Sequence, residues 1–546
     1  SGNAYIFLGQ QQIEKIIDSM SIDELAGQVI NLNLAWPKYD VEEYENICSK
    51  IHPGSIFLNY PGTILTNMGE IERNKFLIDI ADKYSPVPAI VCTDGSLGDL
   101  RNMPSPMSWG ATDNPTEYEK FGVAYGKMLR RAGNGVFLGP VCDINYNHNN
   151  PIVNTRAVSD EHNHVIKMCS AYVRGLTHEH NVVACCKHFP GDGTDDRNQH
   201  YCTTVNSLNK NDWMDTYGEV YKQMFKAGAT AVMCAHISLP SWQSEDEYDP
   251  VKGYLPCSIS PSLMTGLLKG TLGFEGCIIS DALDMIGAVS ACKRSELAVR
   301  FINAGGDMLL FARPEDFYSI REAVNSGEIK MERLRDAAMR VLFMKNEIGL
   351  LDGRQSIVPC EIPKQELKRA FDFCAENSIV VERNVNNVLP LKLNKNDKIF
   401  VANLFSKGDE CHQDGIFKPM IDELIERGYK VEYRDGSFDF KELKNAKDKY
   451  ACILINCESS VACSSGGTLR LGHEHIKVFW DGYGLENPNV VFAAFGDPYK
   501  LYEFPFLQTF VNCFSPTPRT QHEYLKVLFG ETEALGKNPI ELKGFF

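Results

Sequence analysis

The chain has 546 residues, 44% of them hydrophobic, and a formal net charge of −16. This length and apolar content predict two or more domains with full cores. The acidic balance disfavours nucleic acid as a partner, because its phosphates require a basic protein face. No run of about 20 uninterrupted apolar residues occurs, so we expect neither a membrane-spanning helix nor a membrane partner.

Short apolar runs alternate with amphipathic stretches through the first 350 residues. The eight predicted strands are Gln28–Leu32, Ser55–Leu58, Ala89–Thr93, Val136–Val141, Val182–Cys186, Ala231–Ala235, Cys277–Ser280 and Met308–Phe311. The helices predicted between them include Thr116–Arg131, Glu161–Leu176, Asp212–Ala227, Lys293–Ala304 and Pro314–Asn325. Strand and helix alternation indicates a parallel sheet with crossover helices, and eight strands close a barrel. We therefore expect an α/β fold with a (β/α)8 TIM-type barrel over residues 1–350.

The pattern changes after Asn346. Residues 351–375 contain Gly and Pro and lead into a predicted entry helix, Lys364–Asn377, and a smaller α/β domain is expected over 376–546. Its predicted elements are the strands Lys398–Ala402, Ala451–Ile455, Val490–Phe495 and Thr509–Asn512, with the helix Lys418–Arg427. The segment Ser464–Gly467 is interpreted as a flexible surface loop, not as a phosphate-binding loop.

The 18 cysteines include no Cys-x-x-Cys pair. Many lie in apolar, strand-like runs, where cysteine behaves as a small hydrophobic residue. We interpret them as reduced core thiols, which favours a cytoplasmic location. The start, Ser1–Ala4, lacks the basic and apolar regions of a signal peptide and is interpreted as a processing or cloning remnant, although a signal peptide already removed would leave no trace.

Two histidine pairs, His162/His164 and His178/His180, have a spacing that metal ligands can use. No third ligand stands at a recognisable spacing from either pair. We therefore interpret the four histidines as exposed polar positions on helices.

One polar loop directly follows a buried strand. Residues 187–200 contain one lysine, two histidines, three aspartates and one arginine, and Pro-Gly and Asp-Gly turns predict a loop there. A solvated charged loop would have a similar composition. A working site is favoured because a second, distant segment has the same design.

That second segment is an apolar run that ends at Ser280-Asp281. A carboxylate at the end of a buried strand is partly desolvated, so its position is fixed and its ionisation can be tuned, as a nucleophile requires. The alternative is that Asp281 is the N-cap of a helix within 282–289. Further ionisable residues at predicted strand ends are Asp94, Asp143, Lys187, His188 and His236. The carboxyl ends of barrel strands form the active face, so these positions are expected to converge on one pocket.

These residues carry a resemblance to a known family. The block Lys187-His188-Phe189-Pro190-Gly191-x-Gly193 ending at His200, with Ser280-Asp281 and Met285 downstream, resembles glycoside hydrolase family 3, and within it the β-N-acetylglucosaminidases. Supporting motifs are Pro140-x-x-Asp143, Asn154-Thr155-Arg156, Val232-Met233-x-Ala235-His236, Ala304-Gly305-Gly306-Asp307, Ser378-Ile379-Val380, Leu389-Pro390-Leu391 and Phe495-Gly496-x-Pro498-Tyr499. Two-domain members of that family pair a catalytic (β/α)8 barrel with a smaller C-terminal α/β sandwich domain.

The resemblance implies roles by position. Asp281 matches the nucleophile that forms a covalent glycosyl-enzyme with retention of configuration. His200 matches a histidine general acid/base, whose partner stands two residues before it. The candidate substrate-binding residues are Asp94, Arg156, Lys187, His188 and His236. No metal or organic cofactor is implied, because a nucleophile and a proton shuttle suffice.

Two positions depart from the family pattern. Asn198 stands two before His200, where the family has aspartate; an amide holds the imidazole but adds no charge, and its NH2 would fix the other tautomer if it faced the ring. Either Asp195 or Asp196 supplies the charge, or the chain is slow, or the residue was altered deliberately. The segment 95–101 also differs from the family pattern, which predicts a rebuilt outer wall of the sugar site.

Three hypotheses follow. The leading one is a retaining exo-β-N-acetylglucosaminidase acting on GlcNAc-terminated glycans. The second is a phosphorylase on the same scaffold, because a neutral histidine does not repel an incoming phosphate. The third is a catalytically impaired sugar-binding protein, against which the retained Asp281 argues. The natural aglycone and the oligomeric state stay open.

Overall fold

The computed structural model describes residues 7–35, 39–58, 69–95, 103–406, 415–436, 439–459, 461 and 468–543. These residues divide into two compact units, one drawn from 1–98, 118–143 and 169–367, the other from 99–117, 144–168 and 368–546. Within the described ranges, no helix combines the length and the hydropathy that crossing a membrane requires. The domain limits predicted at residues 350 and 376 stay a prediction.

Helices and strands alternate along most of the described chain. The α-helices are α1 (Gln10–Ser19), α2 (Ile22–Gln28), α3 (Val41–Ile51), α4 (Glu70–Tyr84), α5 (Pro106–Thr112), α6 (Pro115–Arg131), α7 (His162–Leu176), α8 (Lys210–Trp213), α9 (Glu219–Ala227), α10 (Ile286–Val289), α11 (Arg294–Ala304), α12 (Pro314–Ser326), α13 (Met331–Glu347), α14 (Lys364–Ser378), α15 (Lys418–Glu426), α16 (Ala446–Lys449), α17 (His473–Ile476), α18 (Lys500–Glu503) and α19 (Pro518–Leu528). The strands are β1 (Asn31–Asn33), β2 (Ser55–Phe57), β3 (Ile90–Thr93), β4 (Val136–Phe137), β5 (Val183–Phe189), β6 (Thr204–Val205), β7 (Ala231–Cys234), β8 (Ile237–Ser238), β9 (Tyr248–Asp249), β10 (Gly253–Tyr254), β11 (Cys277–Ser280), β12 (Val380–Asn384), β13 (Lys398–Phe405), β14 (Lys430–Asp435), β15 (Cys452–Glu458), β16 (Val490–Ala494) and β17 (Thr509–Asn512).

The first unit is a closed barrel. Seven strands form a parallel sheet in the order β1-β2-β3-β4-β5-β7-β11. Parallel backbone bridges from Ile279 to Met308 and from Ile30 to Leu309 add the eighth strand position and close the ring. Alternate residues of β5, Val183 and Cys185, lie in the apolar cluster that fills the barrel. The predicted α/β class and eight-stranded barrel are confirmed, and every predicted run overlaps the strand or bridge that it was expected to supply.

One predicted helix of the barrel is interrupted. The stretch predicted as Asp212–Ala227 forms α8, a π-helical turn at Met214–Gly218, and α9. The hydroxyl of Thr216 donates to the carbonyl of Asp212, 2.5 Å away. A side chain that bonds the carbonyl four residues earlier competes with the backbone ladder and bends a helix, which accounts for the interruption.

The second unit contains a six-stranded sheet in the order β12-β17-β16-β15-β13-β14. Its pairs are parallel except β12 with β17. Successive residues of β13 face opposite sides: Val401 joins an apolar cluster with residues of α15 and α19, whereas Phe400 joins a second cluster. A sheet buried on both faces is an α/β sandwich, as expected for the smaller domain.

Some sequence interpretations differ from the structure or lie outside it. The edge strands β12 and β14 were not predicted, because their half-exposed residues lack the continuous apolar run of a central strand. His178 and His180 are exposed, but the expectation of exposure is wrong for His162 and His164, which are partly buried. Nε2 of His164 lies 2.7 Å from the carbonyl oxygen of Gly110. Ser464–Gly467 lies outside the described residues.

Candidate functional site

Ionisable residues stand at the carboxyl ends of five consecutive barrel strands. They are Asp94 after β3, Asp143 beyond β4, Lys187 and His188 within β5, His236 after β7, and Asp281 after β11. Strands of a parallel barrel end at one rim, so these side chains share that rim. The strand order therefore places Asp94, Lys187, His188, His236 and Asp281 at the same rim of the barrel, as predicted.

Asp281 is the carboxylate directly after β11. Its backbone N–H donates to the carbonyl of Cys234 at 2.9 Å, and its Oδ1 accepts the N–H of Ala282 at 2.7 Å. Helix α10 begins later, with Met285 as its N-cap, so the alternative of Asp281 as a helix cap is wrong. Burial alone would raise the pKa of Asp281, but His188, His200 and the hydrogen bond from the Ala282 N–H lower it, and the pKa lies below its ordinary value. An ionised carboxylate at this position can act as a nucleophile.

His188 is held by a buried carboxylate. Its Nδ1 lies 2.7 Å from Oδ2 of Asp143, and its backbone N–H donates to Oδ1 of the same side chain at 3.1 Å. Asp143 is fully buried and also accepts the N–H of Asp192 at 2.8 Å. A carboxylate accepts only, so Nδ1 of His188 carries the proton and the ring orientation is fixed.

Lys187 and Asp94 form an ion pair between neighbouring strand ends. Nζ of Lys187 lies 3.1 Å from Oδ1 of Asp94. The lysine side chain is 7% exposed and the aspartate side chain 44% exposed, so the pair has one buried and one open end. Hydrogen bonds from such a pair suit the hydroxyl groups of a sugar. Of the predicted rebuilt wall at 95–101, only Gly95 lies within the described residues.

His200 is held by the amide of Asn198. Oδ1 of Asn198 lies 2.7 Å from Nδ1 of His200 and accepts the backbone N–H of His200 at 2.9 Å. A backbone N–H cannot donate to an NH2 group, so the amide oxygen, not its nitrogen, faces the ring. Nδ1 therefore carries the proton, and Nε2 is the nitrogen that gains or loses a proton. The alternative in which the NH2 group of Asn198 faces the ring and fixes the other tautomer is therefore wrong.

Asp195 is committed to the loop that carries His200. Its carboxylate accepts the backbone N–H groups of Arg197 and Val205, both at 2.8 Å, and Nη2 of Arg197 at 2.7 Å. Burial would raise the pKa of Asp195, but these donors lower it by more, so it stays ionised. Asp196 is exposed. The carboxylate of Asp195 closes the loop, and Asn198 holds the imidazole.

Side chains of α8 and of the π-helical turn that follows it bind the start of the same loop. Trp213 donates to the carbonyl of Pro190 at 2.8 Å and Tyr217 to that of Asp192 at 2.6 Å. Gly191 has φ of 119°, and a Cβ there would lie 2.2 Å from the Tyr217 ring. Both the backbone conformation and the close approach require glycine at this point. The start of the loop that carries His200 is thus held in place by these contacts, and a fixed position favours an acid/base residue.

His236 occupies the rim beside Asp281, with no exposed surface. Its Nδ1 lies 2.9 Å from the Ser258 hydroxyl and its Nε2 lies 2.8 Å from the Ala282 carbonyl oxygen. Both ring nitrogens therefore bind protein groups. The predicted contact of His236 with substrate stays a prediction.

Arg156 belongs to the second unit. It ends the 3-10 turn Asn154–Arg156, and its Nη1 donates to the carbonyl of Ile152 at 2.9 Å. Its predicted contact with a sugar stays a prediction.

Sequence reasoning assigned no role to three residues of this site. Asp143 was recognised as a strand-end acid, but its grip on His188 was not. Gln199 accepts the backbone N–H of His236 at 3.0 Å, and Ser258 holds the ring of the same histidine. The position of Asp143 was a usable signal, whereas a single glutamine and a single serine carry none until the backbone around them is known.

Known proteins resemble the chain over most of its length. The β-N-acetylglucosaminidase/β-glucosidase of Cellulomonas fimi is 28% identical over 459 residues, which is 80% of this chain and 79% of that protein. The structure of the β-glucoside phosphorylase BglX bound to 2FGlc has a TM-score of 0.84 at 27% identity, covering 98% of this chain and 97% of its own.

A third relative shows the fold at lower identity. The β-N-acetylglucosaminidase from Paenibacillus sp. str. FPU-7 has a TM-score of 0.79 at 19% identity, covering 96% of this chain and 99% of its own. The family model described as the glycosyl hydrolase family 3 N terminal domain matches residues 21–344, which include every barrel strand and every rim residue described above. Because that match covers more than half of the chain, the chain belongs to glycosyl hydrolase family 3.

Proposed function

We propose that the chain is a retaining, exo-acting β-glycosidase that removes terminal β-linked N-acetylglucosamine, with Asp281 as nucleophile and His200 as general acid/base. The observation that carries this proposal is the ionised Asp281 carboxylate at the rim, electrostatically coupled to His200, whose Nδ1 is fixed by Asn198. Two groups of these types suffice for double displacement.

The first step forms a covalent intermediate. An Asp281 oxygen attacks the anomeric carbon while the bond from that carbon to the glycosidic oxygen breaks, and protonated His200 donates its Nε2 proton to the departing oxygen. In the second step neutral His200 takes a proton from water, whose oxygen attacks the anomeric carbon and releases the Asp281 carboxylate. Two inversions give net retention, and His200 ends protonated as it began.

The remaining rim residues would hold the sugar. The Lys187–Asp94 pair offers donors and acceptors to hydroxyl groups, and His188 adds a ring whose Nδ1 is engaged by Asp143. A sugar contact of Arg156 is implied by the family resemblance alone. The name of the Cellulomonas fimi relative, which joins β-N-acetylglucosaminidase to β-glucosidase, supports a β-linked sugar.

A phosphorylase is the second candidate, and one observation favours it. Asn198 lies 2.7 Å from Nδ1 of His200, the distance at which the Asp143 carboxylate holds His188, but its amide adds no negative charge that would repel an incoming phosphate. Phosphate oxygen would then attack the anomeric carbon of the glycosyl-Asp281 intermediate and release the sugar 1-phosphate. The BglX relative is named a β-glucoside phosphorylase. The third hypothesis, a binding protein without turnover, is disfavoured by the lowered pKa of Asp281, which a mere binder does not need.

The test is product analysis with two substrates. The 4-nitrophenyl β-glycosides of N-acetylglucosamine and glucose are incubated with the protein, with and without phosphate. ¹H NMR identifies the free sugar and the anomer first released, and ³¹P NMR detects any sugar 1-phosphate. We expect free β-configured N-acetylglucosamine to be the main product. A sugar 1-phosphate as main product would establish the second candidate, and release of an α-configured sugar would contradict the double displacement.

A further inference from the structure

His236 has four polar groups, and each binds a different part of the barrel rim. Its backbone N–H donates to Oε1 of Gln199 at 3.0 Å, and its carbonyl accepts the N–H of Thr204 at 3.2 Å. In the side chain, Nδ1 lies 2.9 Å from Ser258 Oγ and Nε2 lies 2.8 Å from the Ala282 carbonyl oxygen.

The protons of this network can be placed without ambiguity. The carbonyl oxygen of Ala282 only accepts, so Nε2 of His236 carries the hydrogen. Nδ1 is then an acceptor and takes the hydroxyl proton of Ser258. Burial lowers the pKa of His236 more than Asp281 raises it, which keeps the ring in this neutral form.

Two of the four bonds hold the acid/base loop on either side of His200. Gln199 precedes His200, and Thr204 begins β6, which pairs with β8 directly after His236. A third bond holds the nucleophile segment, because Ala282 follows Asp281. His236 therefore contacts both halves of the proposed catalytic pair: its backbone binds the acid/base loop, and its imidazole binds the segment that follows the nucleophile.

The acid/base loop and the segment that follows Asp281 also contact each other directly beside His236. The N–H of Ile286 donates to the carbonyl of His200 at 3.1 Å, and the Thr203 hydroxyl donates to the carbonyl of Gly287 at 2.9 Å. A Cβ on Gly287 would lie 2.4 Å from the Gln199 carbonyl oxygen and 2.9 Å from Cβ of His236. The nucleophile segment and the acid/base loop are thus packed together around His236 without room for adjustment.

We propose that His236 is a positioning residue which, with Gln199 and Ser258, fixes the spacing between His200 and Asp281. This inference rests on the proposed function and assigns His236 a role other than contact with the sugar, because the residue is fully buried and both ring nitrogens are engaged. Fixed spacing matters for catalysis, since a displacement of about 1 Å in a catalytic group costs on the order of 100-fold in rate.

Two substitutions separate the positioning role from the others. In His236→Gln the amide nitrogen reaches the place of Nε2 and can still donate to Ala282, whereas in His236→Asn the shorter amide reaches only the place of Nδ1. We expect His236→Asn to lower kcat by roughly 10- to 100-fold with KM nearly unchanged, and His236→Gln to recover most of that loss. The exposed His178→Asn of the same unit is the control and should leave kcat as in the wild type.

The effects on KM and kcat distinguish a sugar ligand from a positioning residue. A raised KM with kcat preserved in both variants would make His236 a sugar ligand and overturn the proposal. Equal loss of kcat in both variants would also overturn it, because the donor to Ala282 would then not matter. If His236→Asn does not fold, Ser258→Ala and Ser258→Thr take its place, and only the variant lacking the hydroxyl should be slow.

Hydrogen exchange gives a readout that does not depend on turnover. In His236→Asn, peptides covering residues 194–206 and 282–290 should exchange faster than in the wild type, and in His236→Gln they should not. Unchanged exchange in a folded His236→Asn protein would contradict positioning. A wild-type chain that turns over no β-glycoside would refute the proposed function instead, and the exchange comparison would still decide the role of His236.

Discussion

Two histidines of the barrel rim are held in nearly the same way by different partners. Nδ1 of His188 lies 2.7 Å from the Asp143 carboxylate, and Nδ1 of His200 lies 2.7 Å from the Asn198 amide oxygen. Each partner also accepts the backbone N–H of its histidine, at 3.1 Å and 2.9 Å respectively. The two pairs match in geometry and differ in charge.

The charge of the partner residue determines whether each imidazole keeps or exchanges its proton. A carboxylate stabilises the positive imidazolium, so Asp143 suits a buried ring that keeps one protonation state. An amide fixes the ring without stabilising its charge, so Asn198 leaves His200 able to give and take a proton. The partner residue thereby separates a holding histidine from a reacting one.

The largest effect is expected when the carboxylate of the proposed nucleophile, Asp281, is removed. Asp281→Asn keeps the size of the side chain but not its charge, and we expect kcat to fall by about 10⁴-fold or more. Binding of the product sugar, measured by calorimetry, should persist. A turnover within tenfold of the wild type would show that another group is the nucleophile.

Replacing the reacting histidine should have a smaller effect that depends on the leaving group. His200→Gln removes the proton donor, and we expect a loss of roughly 10²- to 10⁴-fold for an alkyl glycoside. A 2,4-dinitrophenyl glycoside departs without protonation and should lose far less in its first step. Equal losses for the two substrates, measured as kcat/KM, would contradict the acid role.

Removing the negative charge of the Asp143–His188 pair should weaken substrate binding. Asp143→Asn leaves one acceptor oxygen where Asp143 now accepts from His188 and Asp192, and we expect kcat/KM to fall by about 10- to 100-fold, mainly through KM. A loss confined to kcat would mean that His188 takes part in the chemistry and that the two histidines do not have separate roles.

The reverse of Asp143→Asn is to add a negative charge to the Asn198–His200 pair. Asn198→Asp should increase hydrolysis and reduce any acceleration by phosphate, by about tenfold or 1.4 kcal/mol, because an added negative charge strengthens His200 as a base and repels phosphate. Nitrophenol release with and without phosphate measures both effects. Comparable rates in the two proteins would show that the charge beside His200 does not control the acceptor.

The smallest expected effect concerns acid pH. His188, His200 and the Ala282 N–H act against burial and the pKa of Asp281 is lowered, so its carboxylate stays ionised until the pH falls below the ordinary aspartate value of about 3.9. In the folded protein, kcat/KM should therefore not decline between about pH 6 and pH 4.5. A decline there that is absent from His236→Gln would assign the limb to His236 and contradict this electrostatic account.

The barrel could be read from the sequence because each of its strands is an apolar run bounded by polar residues. Edge strand β14 could not, since its residues from Lys430 to Asp435 are half-exposed or exposed, with no face that is fully apolar. Asp281, Lys187 and His188 were recognisable because strand-end position is a sequence signal. Gln199 and Ser258 were not, because their role depends on which backbone groups of His236 face them. The orientation of the Asn198 amide likewise required the backbone N–H of His200.

The most direct test of the central claim is to trap the intermediate on Asp281. The protein is treated with a 2-deoxy-2-fluoro-β-glucosyl fluoride, digested, and analysed by mass spectrometry. We expect one added fluoroglucosyl group on the peptide that contains Asp281, lost slowly when water or phosphate is supplied as acceptor. A stable adduct on any other residue, or turnover of the reagent with no adduct in either the wild type or His200→Gln, would contradict it.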